Sequence, residues 1–312
     1  MVGSTIFDSL QPWWVAAGGG AAAVAAAAVA GWRVRGSTAV PAAGWAVAAG
    51  GAITAECVLH AAGSGPLAEP SAAASARLAV AAVLVCPAMS LLGAKRPQHG
   101  IWQLIVASLA VVLAAPAATA LLVRPGSLPE VHFVGRVFLV SLAAMAWMNF
   151  LGTRRWPAAT LAVAGGVTLM RPFLPGCSTL GQVEAMLANP WPDAAAAWLV
   201  GLGGFAAATT TAADHETPAG RPFAAAIDRP FVAIRETLGA AWALRIAERF
   251  NGLAEERGWP CRLSLSGLAA GGDPLDRSWH RDALRCFQSI MRRFVSREWL
   301  ARHAPRPTST AR

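Results

Sequence analysis

Up to residue 213 the chain alternates long apolar runs with short polar punctuation; after that the apolar positions become periodic within otherwise polar segments. A helix needs about 20 mainly apolar residues to cross a bilayer, because each residue advances about 1.5 Å and the hydrocarbon is about 30 Å thick. Seven runs are of that order: 13–32, 44–62, 77–92, 101–123, 134–152, 156–174 and 194–213. The fourth is rich in Leu, Val and Ile, whereas the first and seventh consist largely of Ala and Gly, which gain little on transfer to lipid. The pattern predicts an all-α fold: a polytopic transmembrane helical bundle of about seven helices over 1–213, a small, mostly helical C-terminal domain over 214–303, and a disordered tail over 304–312.

Helices poor in large side chains suit close backbone approach better than exposure to lipid. The Gly18-Gly19-Gly20 and Gly201 to Gly204 segments are therefore expected to face other helices. Pro87 and Pro116 each leave a carbonyl four residues earlier without its usual donor, which packed membrane helices tolerate, so kinks are expected there.

The C-terminal third reads differently. Asp214 to Pro222 is polar, with prolines and a glycine, and reads as a linker. From 229 to 257 the residues Ile234, Leu238, Trp242, Ile246 and Phe250 recur every four positions and predict one amphipathic helix. Gly258-Trp259-Pro260 ends it, and the alternation in 261–268 predicts a short strand. A further helix is expected over 276–300, with Leu284, Phe287, Met291 and Phe294 on one side and Arg277, Arg281, Arg285, Arg292 and Arg297 largely on the other. Its economical partner is the first amphipathic helix, in a hairpin whose basic face meets anionic lipid headgroups. Residues 229–300 also offer a surface for a protein partner. Nucleic acid is disfavoured, because no helix-turn-helix or aromatic-basic recognition motif is present.

Charge refines this picture. Only 14% of the residues are charged, against about 25% in a typical soluble domain. Residues 1–213 hold ten Arg and Lys and six Asp and Glu, and the remaining 99 hold sixteen and eleven. The loops after the first, third and fifth runs carry Arg33 and Arg35, Lys95 and Arg96, and Arg154 and Arg155. The other side carries none at the N-terminus, then Arg77, then Arg124 with Arg136, then Arg171. The positive-inside rule puts the richer loops and the basic tail in the cytoplasm and the N-terminus outside. Met1 to Gln11 lacks the positive region of a cleavable signal peptide and carries Asp8, so the first run is expected to remain as an anchor. The net charge of +9 then faces the anionic inner leaflet.

One lysine against 25 arginines, no tyrosine and long alanine runs are the mark of a GC-rich genome. The five cysteines stand singly, at 57, 86, 177, 261 and 286, without the spacing of a zinc site or a disulfide framework.

Ionisable residues inside a membrane are costly and often functional. Glu56 and His60 lie four apart on one helix face, where the carboxylate can hydrogen-bond the imidazole, relay protons or offer two metal ligands. The structural alternative puts His60 at the interface, solvated, with Glu56 one turn deeper, where it reaches water or an arginine from another loop. Asn149 in the fifth run is expected to fix a helix contact rather than bind substrate. Arg171, before Pro172, is expected to reach the headgroups, and His132 with Arg136 forms an interfacial anchor or an external anion contact. No cluster of polar residues at one depth, such as a membrane enzyme uses, is legible.

Several chemistries are excluded. The single lysine lies in a loop, so no retinal Schiff base forms in the seventh run, and bis-histidine haem lacks a second histidine within the runs. No phosphate-binding P-loop, His-Glu-x-x-His or Gly-x-Ser-x-Gly motif is present, and no cofactor is indicated.

The stretch Cys86-Pro87-Ala88-Met89-Ser90-Leu91-Leu92-Gly93-Ala94-Lys95-Arg96-Pro97-Gln98, with Trp102 beyond it, resembles uncharacterised multi-pass membrane proteins of planctomycete-type bacteria. Trp242-Ala243-Leu244-Arg245-Ile246-Ala247-Glu248-Arg249-Phe250-Asn251 adds to the resemblance. It implies a bacterial inner-membrane location and transfers no functional residue. The expected function is a non-enzymatic anchor or scaffold with a cytoplasmic partner-binding domain; the alternative is a small transporter coupling protons or ions through Glu56 and His60.

Overall fold

The computed structural model describes residues 2–62, 67, 69–93, 95, 99–176, 180–210, 222–270 and 278–304. Every apolar run is helical: α1 (Val2–Arg33), α2 (Val40–Ala61), α3 (Pro70–Leu84) with α4 (Cys86–Leu92), α5 (His99–Leu122), α6 (Phe133–Met148), α7 (Trp156–Met170) and α9 (Trp191–Thr209), with a short α8 (Leu180–Ala188) before the last. Proline in the first turn opens α2, α3, α7 and α9 (Pro41, Pro70, Pro157, Pro192), where its missing amide hydrogen costs nothing. Between α3 and α4 the helix breaks at Val85, two residues before Pro87, whereas Pro116 lies inside an uninterrupted α5.

Among the described residues four helical stretches are long and apolar enough to cross a membrane: Pro12–Arg33, Val40–Ala61, Pro70–Leu92 and Gly100–Leu122, each of 22 or 23 residues. At about 1.5 Å per residue these cover the hydrocarbon. α6 and α7 are shorter, at 16 and 15 residues. The chain is a mostly helical membrane protein.

Helices α1, α2, α4, α6, α7 and α9 close a ring, each packing on the next and α9 returning to α1. α5 lies outside it against α3 and α4, with Ile101, Leu104, Val111 and Leu122 exposed as a lipid-facing helix requires. Exposed Trp14 and Trp191 mark one end of the ring, and Trp32, Trp147 and Trp156 the other, the positions amphipathic indoles take at the two membrane interfaces. Small residues set the ring's closest contacts. A methyl group on Gly201 would lie 2.8 Å from the Gly19 carbonyl oxygen, and one on Gly203 2.7 Å from the Ala162 nitrogen. The first and last apolar runs, α1 and α9, thus meet backbone to backbone.

Residues 222–303 differ from the expected helical hairpin. Helices α10 (Pro222–Leu238), α11 (Ala240–Glu256), α12 (His280–Met291) and α13 (Arg297–His303) and an antiparallel ribbon, β1 (Cys261–Ser264) with β2 (Gly267–Ala270), surround one hydrophobic core. The helix expected over 229–257 is broken at Gly239, whose φ of +90° no other residue adopts easily. The single strand expected over 261–268 is a two-stranded ribbon turning at Leu265-Ser266. The helix expected over 276–300 stops after Met291, and Val295 instead pairs as a β-bridge with Ser37 of the α1–α2 loop. Burial drives these breaks: two straight helices would cover each other on one side only, whereas the observed path closes around Phe231, Phe250, Phe287 and Trp299.

Candidate functional site

The end of the ring formed by the close of α2, the start of α3, the close of α7 and the start of α9 holds a chain of charges. Arg77 lies seven residues into α3 and is fully buried. Its Nε donates to Glu56 Oε1 at 2.6 Å and its Nη2 to Asp193 Oδ2 at 2.9 Å. Arg171, just after α7, stands 3.1 Å from Asp193 Oδ1 and donates from Nη2 to the Met186 carbonyl of α8 at 2.6 Å. His60 Nε2 lies 4.0 Å from Glu56 Oε1, and the ring stacks on Trp13 of α1, centroids 4.2 Å apart. Two carboxylates and two guanidiniums alternate, so the chain balances its own charge, as burial demands. It links α2, α3, α9 and the segment after α7, while Trp13 and His60 attach α1.

This arrangement corrects four expectations. Arg77 is not a loop residue at the head of the third run, because the helix begins at Pro70. Arg171 does not reach for headgroups; it binds Asp193. His60 is not solvated, its side chain being 12% exposed. Polar residues do converge at one depth. Asp193 stands outside the spacing pattern of Glu56 and His60, yet the sequence carries a signal for it: an acid in the first turn after Trp191-Pro192, where a helix N-terminus favours negative charge, together with an arginine in an Ala-rich run. Among the described residues no group of three or more His, Cys, Asp or Glu side chains is placed to hold a metal.

Below this charged end the ring helices line a half-open cavity of about 310 Å³. Its walls are almost wholly aliphatic and small, among them Ala27 of α1, Ala46 of α2, Ala88 of α4, Ala162 of α7 and Gly204 of α9. Met145 of α6 lines it and is 37% exposed. The amide of Asn149 is its principal polar group.

Asn149, just past the end of α6, fixes a contact, but with the C-terminal region rather than with a neighbouring span. Its Nδ2 donates to the Leu238 carbonyl at 2.9 Å, and its backbone carbonyl accepts from the Ala240 amide at 2.7 Å. The corner between α10 and α11 is thereby held against the ring. Other ties join the same surfaces: Trp242 Nε1 donates to the Leu91 carbonyl at 2.7 Å, the Arg154 amide to Glu236 Oε2 at 2.8 Å, and Arg302 Nη2 to the Arg35 carbonyl at 2.7 Å. Val34 and Ala39, on either side of the α1–α2 turn, belong to the C-terminal core itself.

Several arginines gather at this second end. Arg33 donates to the Ala208 carbonyl of α9. Arg155, at the head of α7, faces the charges of Glu236 and Arg33, and burial pushes its guanidinium pKa below the ordinary value. Its Nε is buried with no hydrogen-bond partner. Glu236 is buried and also paired with Arg235 at 2.7 Å. Of the arginines singled out for lipid contact, Arg281 and Arg285 on α12, Arg292 just after it and Arg297 at the start of α13 are exposed, while Arg277 lies outside the described residues, as do most of the linker and the tail from 305.

The chain matches no protein-family model, no curated protein and no solved structure.

Proposed function

We propose that this protein is a non-enzymatic membrane anchor of seven crossings that holds residues 222–303 as a partner-binding platform at the cytoplasmic face of a bacterial inner membrane. The observation that carries this reading is that the membrane region completes the core of the C-terminal region: Val34 and Ala39 are buried in it, and Ser37 pairs with Val295. A mobile tail would not need such an attachment. A platform whose orientation matters does.

The alternation of helix ends supports seven crossings. α1 leads from the charged end to the C-terminal region, α2 returns, and each later apolar run reverses again. Arg33, Arg35, Arg154 and Arg155 share the end that carries residues 222–303, which is the distribution the positive-inside rule assigns to the cytoplasm. The exposed arginines of α12 suit contact with anionic headgroups there.

The rival is a transporter working through Glu56 and His60. It is favoured by their 4.0 Å approach and by Glu56 Oε2, which has no hydrogen-bond partner. Against it, Glu56 is already neutralised by Arg77, and the cavity below is apolar, whereas an ion path needs polar groups along its length. Proton flux into liposomes containing the purified protein separates the two. The anchor reading expects the leak of empty liposomes for both wild type and Glu56→Gln; a flux that Glu56→Gln abolishes would replace it with the transporter.

A further inference from the structure

The cavity and the arginines at its C-terminal end belong to one feature. The wall residues Ala30, Ala159 and Ala207 form its last turn on that side. One turn or less beyond them stand Arg33, three residues after Ala30 and bonded to Ala208, and Arg155, whose carbonyl accepts the Ala159 amide at 2.9 Å. The hydrocarbon-lined chamber thus stops about one turn short of two arginines, which stand at the level of Trp32 and Trp156, the exposed indoles that mark an interface. Glu236 offsets one of these charges and is already shared with Arg235. A net cationic rim remains, and Arg155 keeps one buried N–H, at Nε, without an acceptor.

We propose that this chamber binds one anionic phospholipid, an acyl chain lying within the ring and the phosphate meeting Arg33 and Arg155. The chemistry follows from the two halves of the site. Alanine, glycine and leucine walls offer a chain the same environment as the bilayer, so they contribute little selectivity. Selectivity comes from the guanidiniums, whose planar donors match phosphate oxygens in pairs and gain strength where water is scarce. Met145, which lines the chamber and is 37% exposed, is the wall residue suited to give way to an entering chain, since methionine moves aside more easily than a branched residue. The lipid would then fill the space directly beneath Asn149 and couple bilayer composition to the seating of residues 222–303. The inference rests on the membrane embedding and on the C-terminal end of the ring lying at a headgroup layer, and is independent of any partner.

Native mass spectrometry of the full-length protein in detergent tests it, titrating phosphatidylglycerol against phosphatidylcholine of identical chains. Gly166→Leu is the informative variant. Gly166 lines the chamber, and a Cβ added there meets nothing within 4 Å, so leucine fills the space without a clash and improves helix propensity. Wild type is expected to retain one phosphatidylglycerol at least about tenfold more tightly than phosphatidylcholine, about 1.4 kcal/mol. Gly166→Leu should lose that molecule, and Arg33→Gln with Arg155→Gln should erase the preference. Equal retention of the two lipids, untouched by Gly166→Leu, would mean annular lipid only and overturn the proposal. Selective binding that survives Gly166→Leu but not the arginine changes would place the lipid on the surface and overturn the chamber. Proton flux leaves each of these outcomes unchanged, so failure here and failure of the anchor reading are separate results.

Discussion

At the scale of single residues, Arg77 decides the charged end of the ring. Its guanidinium lies between Glu56 and Asp193, both buried, and its removal sets two carboxylates against each other with Arg171 reaching only one of them. Breaking a buried ion pair by deleting one partner costs about 3–5 kcal/mol, because the remaining charge is stranded away from water. Arg77→Met is therefore expected to lower the unfolding temperature in detergent steeply, while Glu56→Gln, which leaves Arg77 bound to Asp193, lowers it less. Equal and small effects of the two changes would show that water reaches the site. Glu56 and His60 were legible from the sequence because their four-residue spacing is local. Arg77 and Asp193 are 116 residues apart, and no local pattern announces that two helices will bring them together.

At the scale of elements, the corner between α10 and α11 is the informative joint. Periodicity alone ran through it, since the residues on both sides keep the same four-residue spacing. What interrupts the helix is Gly239, with φ at +90° and with Asn149 so close that a Cβ would fall 2.3 Å from its Nδ2. Gly239→Ala brings both backbone strain, about 1–3 kcal/mol, and a collision with the contact that fastens α6 to the C-terminal region. The expected result is faster amide exchange across 222–303 with the exchange of α1 and α9 unchanged, measured by hydrogen-deuterium exchange. Uniform protection in the variant would mean that the Trp242–Leu91 and Ser37–Val295 contacts hold the region without this corner. The same reasoning explains α12 and α13: the periodicity of 276–300 is amphipathic, but after Met291 the chain turns to pair Val295 with Ser37, a partner far away in sequence.

For the whole molecule, the ring has two unlike ends, one sealed by ion pairs and one covered by the C-terminal region. That polarity makes the topology testable. Single cysteines introduced at Gly36, Gly152 and Arg297 should react together with a membrane-impermeant maleimide only from the cytoplasmic side, and cysteines at Gly126 and Gly176 only from outside. Reaction of Gly152 and Gly126 from the same side would remove a crossing between them and, with it, the seven-span reading.

Composition along the chain already separates a long apolar region, suited to a membrane, from a charged C-terminal third. Hydrophobicity and charge are properties of the residues themselves, so long apolar runs, the small-residue faces of α1 and α9 and the sharing of one end by Arg33, Arg35, Arg154 and Arg155 could all be read without coordinates. Glu56 and His60 were visible for the same reason, as charges where charge is expensive. The partners of these groups, the bends of the C-terminal helices and the chamber at the centre of the ring emerge from the folded arrangement alone. Each of those depends on residues that meet across long stretches of chain, where close packing and the pairing of buried charge, rather than any local preference, select the partner.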